Sequence, residues 1–309
     1  MDRFFTVAQV VAPIFAAIFL GMTAKRKNWL SPENVQGFQT FVMKIGLPCV
    51  VFNSCLTAQM GVESVSSMAL VLPCMLIATF WAFRARKKRF PYHNLPQLFC
   101  AQETGMLGIP LFMILFGADQ AYRMGILDLT QSVTAIPVIA LLSADAGENP
   151  SPADIAKKGI VSPLLLMSLL GLALNLSGTA DWLNSVGIGP VITETTTFLS
   201  TPISALMIFA VGYNFSLEKG SRSTIFRISA IHFIGFALFC LLIQGALLLV
   251  PNVDALTRWA ILLYCTLPGS YLATGLGRTK DDYVMASGVC SILTVVSLLI
   301  FCVIAAMVA

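Results

Sequence analysis

The sequence predicts an all-helical integral membrane protein: ten transmembrane helices in two inverted five-helix repeats, with helices four and nine broken and crossed. Three observations predict it. The chain of 309 residues is 57% apolar and only 11% Asp, Glu, Lys or Arg, whereas a soluble domain carries roughly 25% charge. Its apolar residues gather into segments of about 20, the length of helix that a hydrocarbon core about 30 Å thick requires. The basic residues between those segments fall almost wholly in alternate loops. With so few charges, neither one large soluble domain nor two smaller ones could cover a wet surface, so the apolar residues face lipid.

The ten segments are residues 4–23, 35–57, 66–83, 94–117, 120–143, 159–177, 190–214, 225–250, 257–277 and 283–307. The first is too long and polar-flanked for a cleaved signal peptide and is kept as a span. Loops after odd-numbered segments carry Lys25, Arg26 and Lys27, then Arg84, Arg86, Lys87, Lys88 and Arg89, then Lys157 and Lys158, then Lys219, Arg222 and Arg227, and last Arg278 and Lys280. Loops after even-numbered segments carry only Arg123 and Arg258. Cytoplasmic loops are enriched in Lys and Arg, so this split predicts a multi-pass protein of the plasma or inner membrane with both termini outside.

A net charge of +4, with no basic run interleaved with aromatics, excludes a nucleic-acid partner. The eight cysteines, from Cys49 to Cys302, are scattered through apolar stretches, and His93 and His232 stand alone. Disulfide frameworks and metal sites need clustered ligands, so neither these nor a cofactor is expected.

The most polar linker falls at mid-chain. It divides the sequence into a first repeat, 1–143, a cytoplasmic linker, 144–158, and a second repeat, 159–309. Five is odd, so the halves have opposite orientations. They also share breaker positions. Pro13 and Gly21 answer Pro163 and Gly171, Pro48 answers Pro202, and Pro110 answers Pro268, at offsets of 150, 154 and 158 residues.

Inverted repeats with Gly/Pro-broken helices in matching positions mark secondary transporters. Exposed backbone at membrane depth is tolerated only where it lines a protein-enclosed or watered cavity. The two breaks therefore offer half-helix N-termini and free N–H groups to a substrate. The candidate substrate-binding residues are Gln102, Glu103, Thr104, Gly105, Gly108 and Pro110 in the first break, and Pro268, Gly269, Ser270 and Tyr271 in the second. Ionisable groups in hydrocarbon are functional candidates by default. Glu103, Asp128 and Lys44 are accordingly candidates for ion coupling, with a structural ion pair or a snorkelling side chain the alternative for Lys44. Glu194, at the outer end of its segment, reads as a solvated interfacial residue.

Several of these residues are familiar as a set. Pro13-Ile14-Phe15 with Gly21, the basic loop Lys25–Lys27, Leu30-Ser31, and Leu47-Pro48 resemble the auxin efflux carrier family, which includes plant PIN carriers and bacterial malate and malonate permeases. The break Thr104-Gly105…Gly108…Pro110 resembles that family's Asn-Thr-Gly-x-x-Gly-x-Pro pattern. Leu267-Pro268 and the charged loop Lys280-Asp281-Asp282 resemble its second half. The resemblance implies a scaffold of spans 1, 2, 6 and 7, a transport domain of spans 3–5 and 8–10, elevator-type movement and a homodimer. Two departures stand out: the family's Asn is Glu103 here, and the second break shows Ser270 and Tyr271 where an Asn would stand. An ionised Glu repels an organic anion. Either Glu103 is protonated in the loaded state, or it is paired with a cation, or the substrate is not a simple carboxylate.

The expected function is secondary transport of small organic anions, mono- or dicarboxylates, driven by a proton or electrochemical gradient. A sodium-coupled carrier of the bile-acid-symporter type, with a similar ten-helix plan, is the alternative. An intramembrane protease needs a nucleophile with a His, or paired Asp residues, on facing helices, and His232 has no Ser partner motif. A receptor or channel would reuse the same fold.

Overall fold

The computed structural model describes residues 2–58, 61–145, 162–215 and 222–308. All of the regular structure among them is helical. The first half begins with α1 (Asp2–Arg26), then α2 (Pro32–Phe41) and α3 (Leu47–Leu56), joined without a gap through one π turn, Val42–Gly46. Next come α4 (Val62–Lys88), α5 (Leu95–Cys100), a second π turn (Thr104–Gly108), α6 (Ile109–Phe116) and α7 (Tyr122–Asp145). The second half holds α8 (Pro163–Leu176), α9 (Thr179–Ser185), α10 (Ile188–Ser200), α11 (Ile203–Asn214), α12 (Arg222–Ala246), α13 (Ala255–Thr266), α14 (Leu272–Gly275) and α15 (Lys280–Val308). The body of the linker, with Lys157 and Lys158, lies outside the described residues, as does Lys219.

Seven helices are long and apolar enough to cross a bilayer, or eight if α8 and α9, bent by 78°, count as one span. Segments 94–117 and 257–277 are not continuous helices. Each is two short helices separated by a stretch of extended backbone. Both π turns have the same origin. Pro48 and Pro110 have no N–H with which to continue the ladder, and the helix widens just before each of them. There Leu47 N–H donates to Val42 O, and Ile109 N–H to Thr104 O.

Helices from the two halves pack at matching places. α1 lies on α11 and α3 lies on α8. Gly21 of α1 faces the backbone of Phe209 and Tyr213, Gly212 of α11 faces that of Ile18, and Gly171 of α8 faces Phe52. A side chain at any of the three would push the backbones apart, which is why small residues sit where membrane helices approach closely. Outward faces carry large apolar side chains such as Phe19, Ile77, Phe198, Leu241 and Leu249, as lipid requires.

Loops after odd-numbered segments meet at one end of the molecule. Lys25 Nζ donates to Phe215 O, His93 N–H to Asp282 Oδ1, and Arg86 pairs with Asp145. Loops after even-numbered segments meet at the other end. There Ser54 Oγ donates to Asp119 O at 2.8 Å and accepts from Tyr122 N–H at 2.6 Å, and Arg123 pairs with Asp254 at 2.6 Å.

Candidate functional site

The two broken segments cross through their extended stretches. Gln102 pairs with Gly269 in an isolated antiparallel bridge. Glu103 N–H donates to Pro268 O at 2.9 Å, and Ser270 N–H donates to Ala101 O at 3.0 Å. The chains come so close that a Cβ at position 269 would overlap the carbonyl of Leu98, and only glycine fits. The bridge sets Pro268 beside Glu103, so Pro110 is not its structural counterpart. Pro110 lies eight residues beyond Gln102, at the start of α6.

Other backbone groups of the first break find partners on α7. Gln131 acts as a strand made of one side chain: its Oε1 accepts from Gln102 N–H at 2.7 Å and its Nε2 donates to Gln102 O at 3.0 Å. Tyr264 hydroxyl braces the same Oε1 at 3.0 Å, and Thr134 hydroxyl donates to Cys100 O at 2.7 Å. The Gln102 amide is assigned with its nitrogen donating to Pro268 O at 3.0 Å and Leu267 O at 2.9 Å. Peptide groups without water must be satisfied internally, and these polar side chains do it.

Above the crossing lies a cavity of about 1370 Å³, open at the end where the odd-numbered loops gather. Its walls come from α1 and α2, the π turn that holds Lys44, the first break, α7, the start of α8, the end of α11, the second break and α15. Of the residues singled out from sequence, Gln102, Glu103, Thr104, Gly105, Ser270, Tyr271, Asp128 and Lys44 line it. Gly108, Pro110, Pro268 and Gly269 do not line it; they shape the backbone behind it. Gly108 is boxed in by Leu267 and Met124.

Glu103 is 8% exposed. Its Oε2 accepts from Tyr271 N–H at 2.7 Å and its Oε1 from Met106 N–H at 3.4 Å. The carboxylate itself thus holds N–H groups that the sequence reading offered to a substrate. Asp128 accepts from Thr104 hydroxyl and, at 2.9 Å, from Gln131 Nε2. Among the described residues the ion pairs are Arg86–Asp145 and Arg123–Asp254, and Lys44 belongs to neither. Glu194 is exposed on α10, and His232 is buried between Phe99 and Phe236.

Residues 6–152 match the family model described as membrane transport protein, that of the auxin efflux carriers. Over that stretch, just under half of the chain, the sequence is similar to the auxin efflux carrier family. The family is one of membrane transport rather than of enzymes, and the protein is a multi-pass membrane transporter. No curated protein matches the chain.

Four polar residues of the carrier's cavity region were not singled out as site residues. Gln97, fully buried in α5, lines the cavity with its amide nitrogen unpartnered. Gln131 had a signal, since it follows Asp128 by one helical turn in an apolar segment. Thr294 hydroxyl bonds the Tyr271 hydroxyl at 2.6 Å. With Ser287 it falls on a small-polar stripe of α15 at helical spacing, readable as a wetted face. Gln97 carries no such signal, because its burial exists only once α5 is packed.

Proposed function

We propose that this carrier moves small organic anions, mono- and dicarboxylates, by secondary active transport driven by a proton or electrochemical gradient. One observation carries the reading: a polar cavity open at one end has as its floor the crossing of two broken helices. Ten membrane-crossing segments in two inverted halves, eight of them helices and two broken, account for the matched packing of α1 on α11 and α3 on α8. Transport then exchanges this open end with the end sealed at Ser54, by movement of spans 3–5 and 8–10 against spans 1, 2, 6 and 7 in a homodimer. The basic end faces the cytoplasm and both termini lie outside, as the loop charges favour.

Purified protein in liposomes should show carboxylate flux whose pH dependence changes in Glu103→Gln. An unchanged pH dependence would remove the proton from the cycle. The two carboxylates at the crossing favour a second reading, in which sodium is the coupling ion. Flux that requires sodium at every pH would decide for it.

A further inference from the structure

Two backbone N–H groups from different helical segments, Met106 in the first break and Tyr271 in the second, converge on one carboxylate. That carboxylate belongs to the chain itself. The charged and titratable groups around it come from every neighbouring element. Asp128 of α7 is held by Thr104 and Gln131, while Cys290 of α15 and the phenol of Tyr271, bonded to Thr294, face the same cavity. Lys44 and Lys25 line that cavity from the scaffold side. Among the described residues no basic side chain bonds Glu103 or Asp128, so a carboxylate arriving here would be the third acidic group at the crossing. Gln97 also lies at the cavity wall, its amide nitrogen buried from water and without a partner among the described residues.

We propose that Glu103 is a tethered competitor: its carboxylate holds the N–H groups of Met106 and Tyr271 in the empty carrier, and a substrate carboxylate takes them only when Glu103 carries a proton. This rests on the reading of the protein as a carboxylate transporter and adds its stoichiometry, one proton bound for each carboxylate. The proton comes from water in the cavity to a Glu103 oxygen. The acid so formed has lost its charge and most of its hold on the amides. The substrate carboxylate accepts those N–H groups. Glu103 thus sets specificity by exclusion, since no anion binds without a proton and the Met106 and Tyr271 N–H groups stay satisfied in the empty carrier.

The test is calorimetric titration of the purified full chain, its Glu103→Gln variant and its Glu103→Asn variant with acetate, malonate and malate between pH 5.5 and 8.5. The wild type should weaken by about tenfold per pH unit once Glu103 is ionised. At pH 8.5, where Glu103 is ionised in the empty carrier, proton uptake read from buffers of different ionisation enthalpy should approach one per substrate molecule, and it is the uptake at this pH that decides. Both variants should bind at least about tenfold more tightly than the wild type at the alkaline end, with no pH slope. Should both variants fail to fold, the wild-type uptake decides alone, and a value near zero overturns the proposal. Weaker binding in folded variants also overturns it, because a glutamate that directly holds the substrate gives that result, and the carboxylate reading then survives. If no form binds any carboxylate at any pH, both readings fall.

Discussion

Gln131 shows how one side chain can stand in for a strand. It satisfies both the N–H and the C=O of Gln102, which is itself buried at the floor of the cavity. Each buried polar group left unpaired costs about 1–3 kcal/mol. Gln131→Leu should therefore lower the thermal midpoint of the purified carrier by several degrees and abolish transport. A Gln131→Leu variant that melts with the wild type would show that the crossing is held by other means. At this scale the sequence was readable where a charged or amide side chain stood out against an apolar segment, as Glu103 and Asp128 do. It was not readable for what those side chains touch. The carboxylate of Glu103 reaches Tyr271 across 168 residues of chain, and no local pattern records that contact.

Gly212 sits in α11 against the backbone of Ile18, whereas Gly235 of α12 has open space around it. Gly212→Leu should cost about 1–3 kcal/mol or more through overpacking against backbone. Gly235→Leu should leave the unfolding temperature nearly unchanged. Equal effects on unfolding in detergent would refute the close packing of α1 on α11. At the scale of elements, the break at 267–271 was legible because Pro268 and Gly269 interrupt an apolar segment there, whereas the extended residues 101–103 hold neither and were flagged only by Gly105, Gly108 and Pro110 just beyond them. The pairing of Pro110 with Pro268 was not, since it matched residues by type and spacing. The backbone bridge aligns Gln102 with Gly269 instead. Pro110 belongs with Pro48. Each follows a Gly-x step out of a π turn, Gly46-Leu47-Pro48 and Gly108-Ile109-Pro110, a local likeness within one half that a search between halves passes over.

The cavity end of the whole molecule is tied by a polar cluster in which His93 is central. Its Nδ1 accepts from Arg86 Nη2 at 2.8 Å, its Nε2 donates to Leu142 O at 3.0 Å, and its backbone N–H donates to Asp282. That arrangement fits the neutral ring alone, because a protonated Nδ1 would turn its own N–H toward the guanidinium. Burial first, then the charge of Arg86, holds the His93 pKa below its usual 6.5. The unfolded chain thus takes up this proton more readily than the native one. The stability that His93 contributes is complete above about pH 6.5 and falls as pH drops through that range. Melting curves at pH 8, 6.5 and 5 should show the decline, and His93→Gln should flatten it. An equal slope in the variant would place the acid sensitivity elsewhere. The gathering of alternate loops at two ends was foreseeable from their charges. The residues that clasp each end were not, since Ser54, His93 and Asp282 look ordinary in sequence.

The bridge between Gln102 and Gly269 also sets a timetable for synthesis. Residue 269 leaves the ribosome 167 residues after residue 102, which at about 5–20 residues per second is roughly 8–33 s. Through that interval the nascent first half sits in the bilayer with an extended stretch whose final partner does not exist. Gln131, Thr134 and Asp128 arrive within about 35 residues of it, because all three lie on α7, and they cover Cys100 O, both backbone groups of Gln102 and the Thr104 hydroxyl early. What remains waiting is the amide of Glu103 and the carbonyl of Ala101, the two groups that close only when the second half is made.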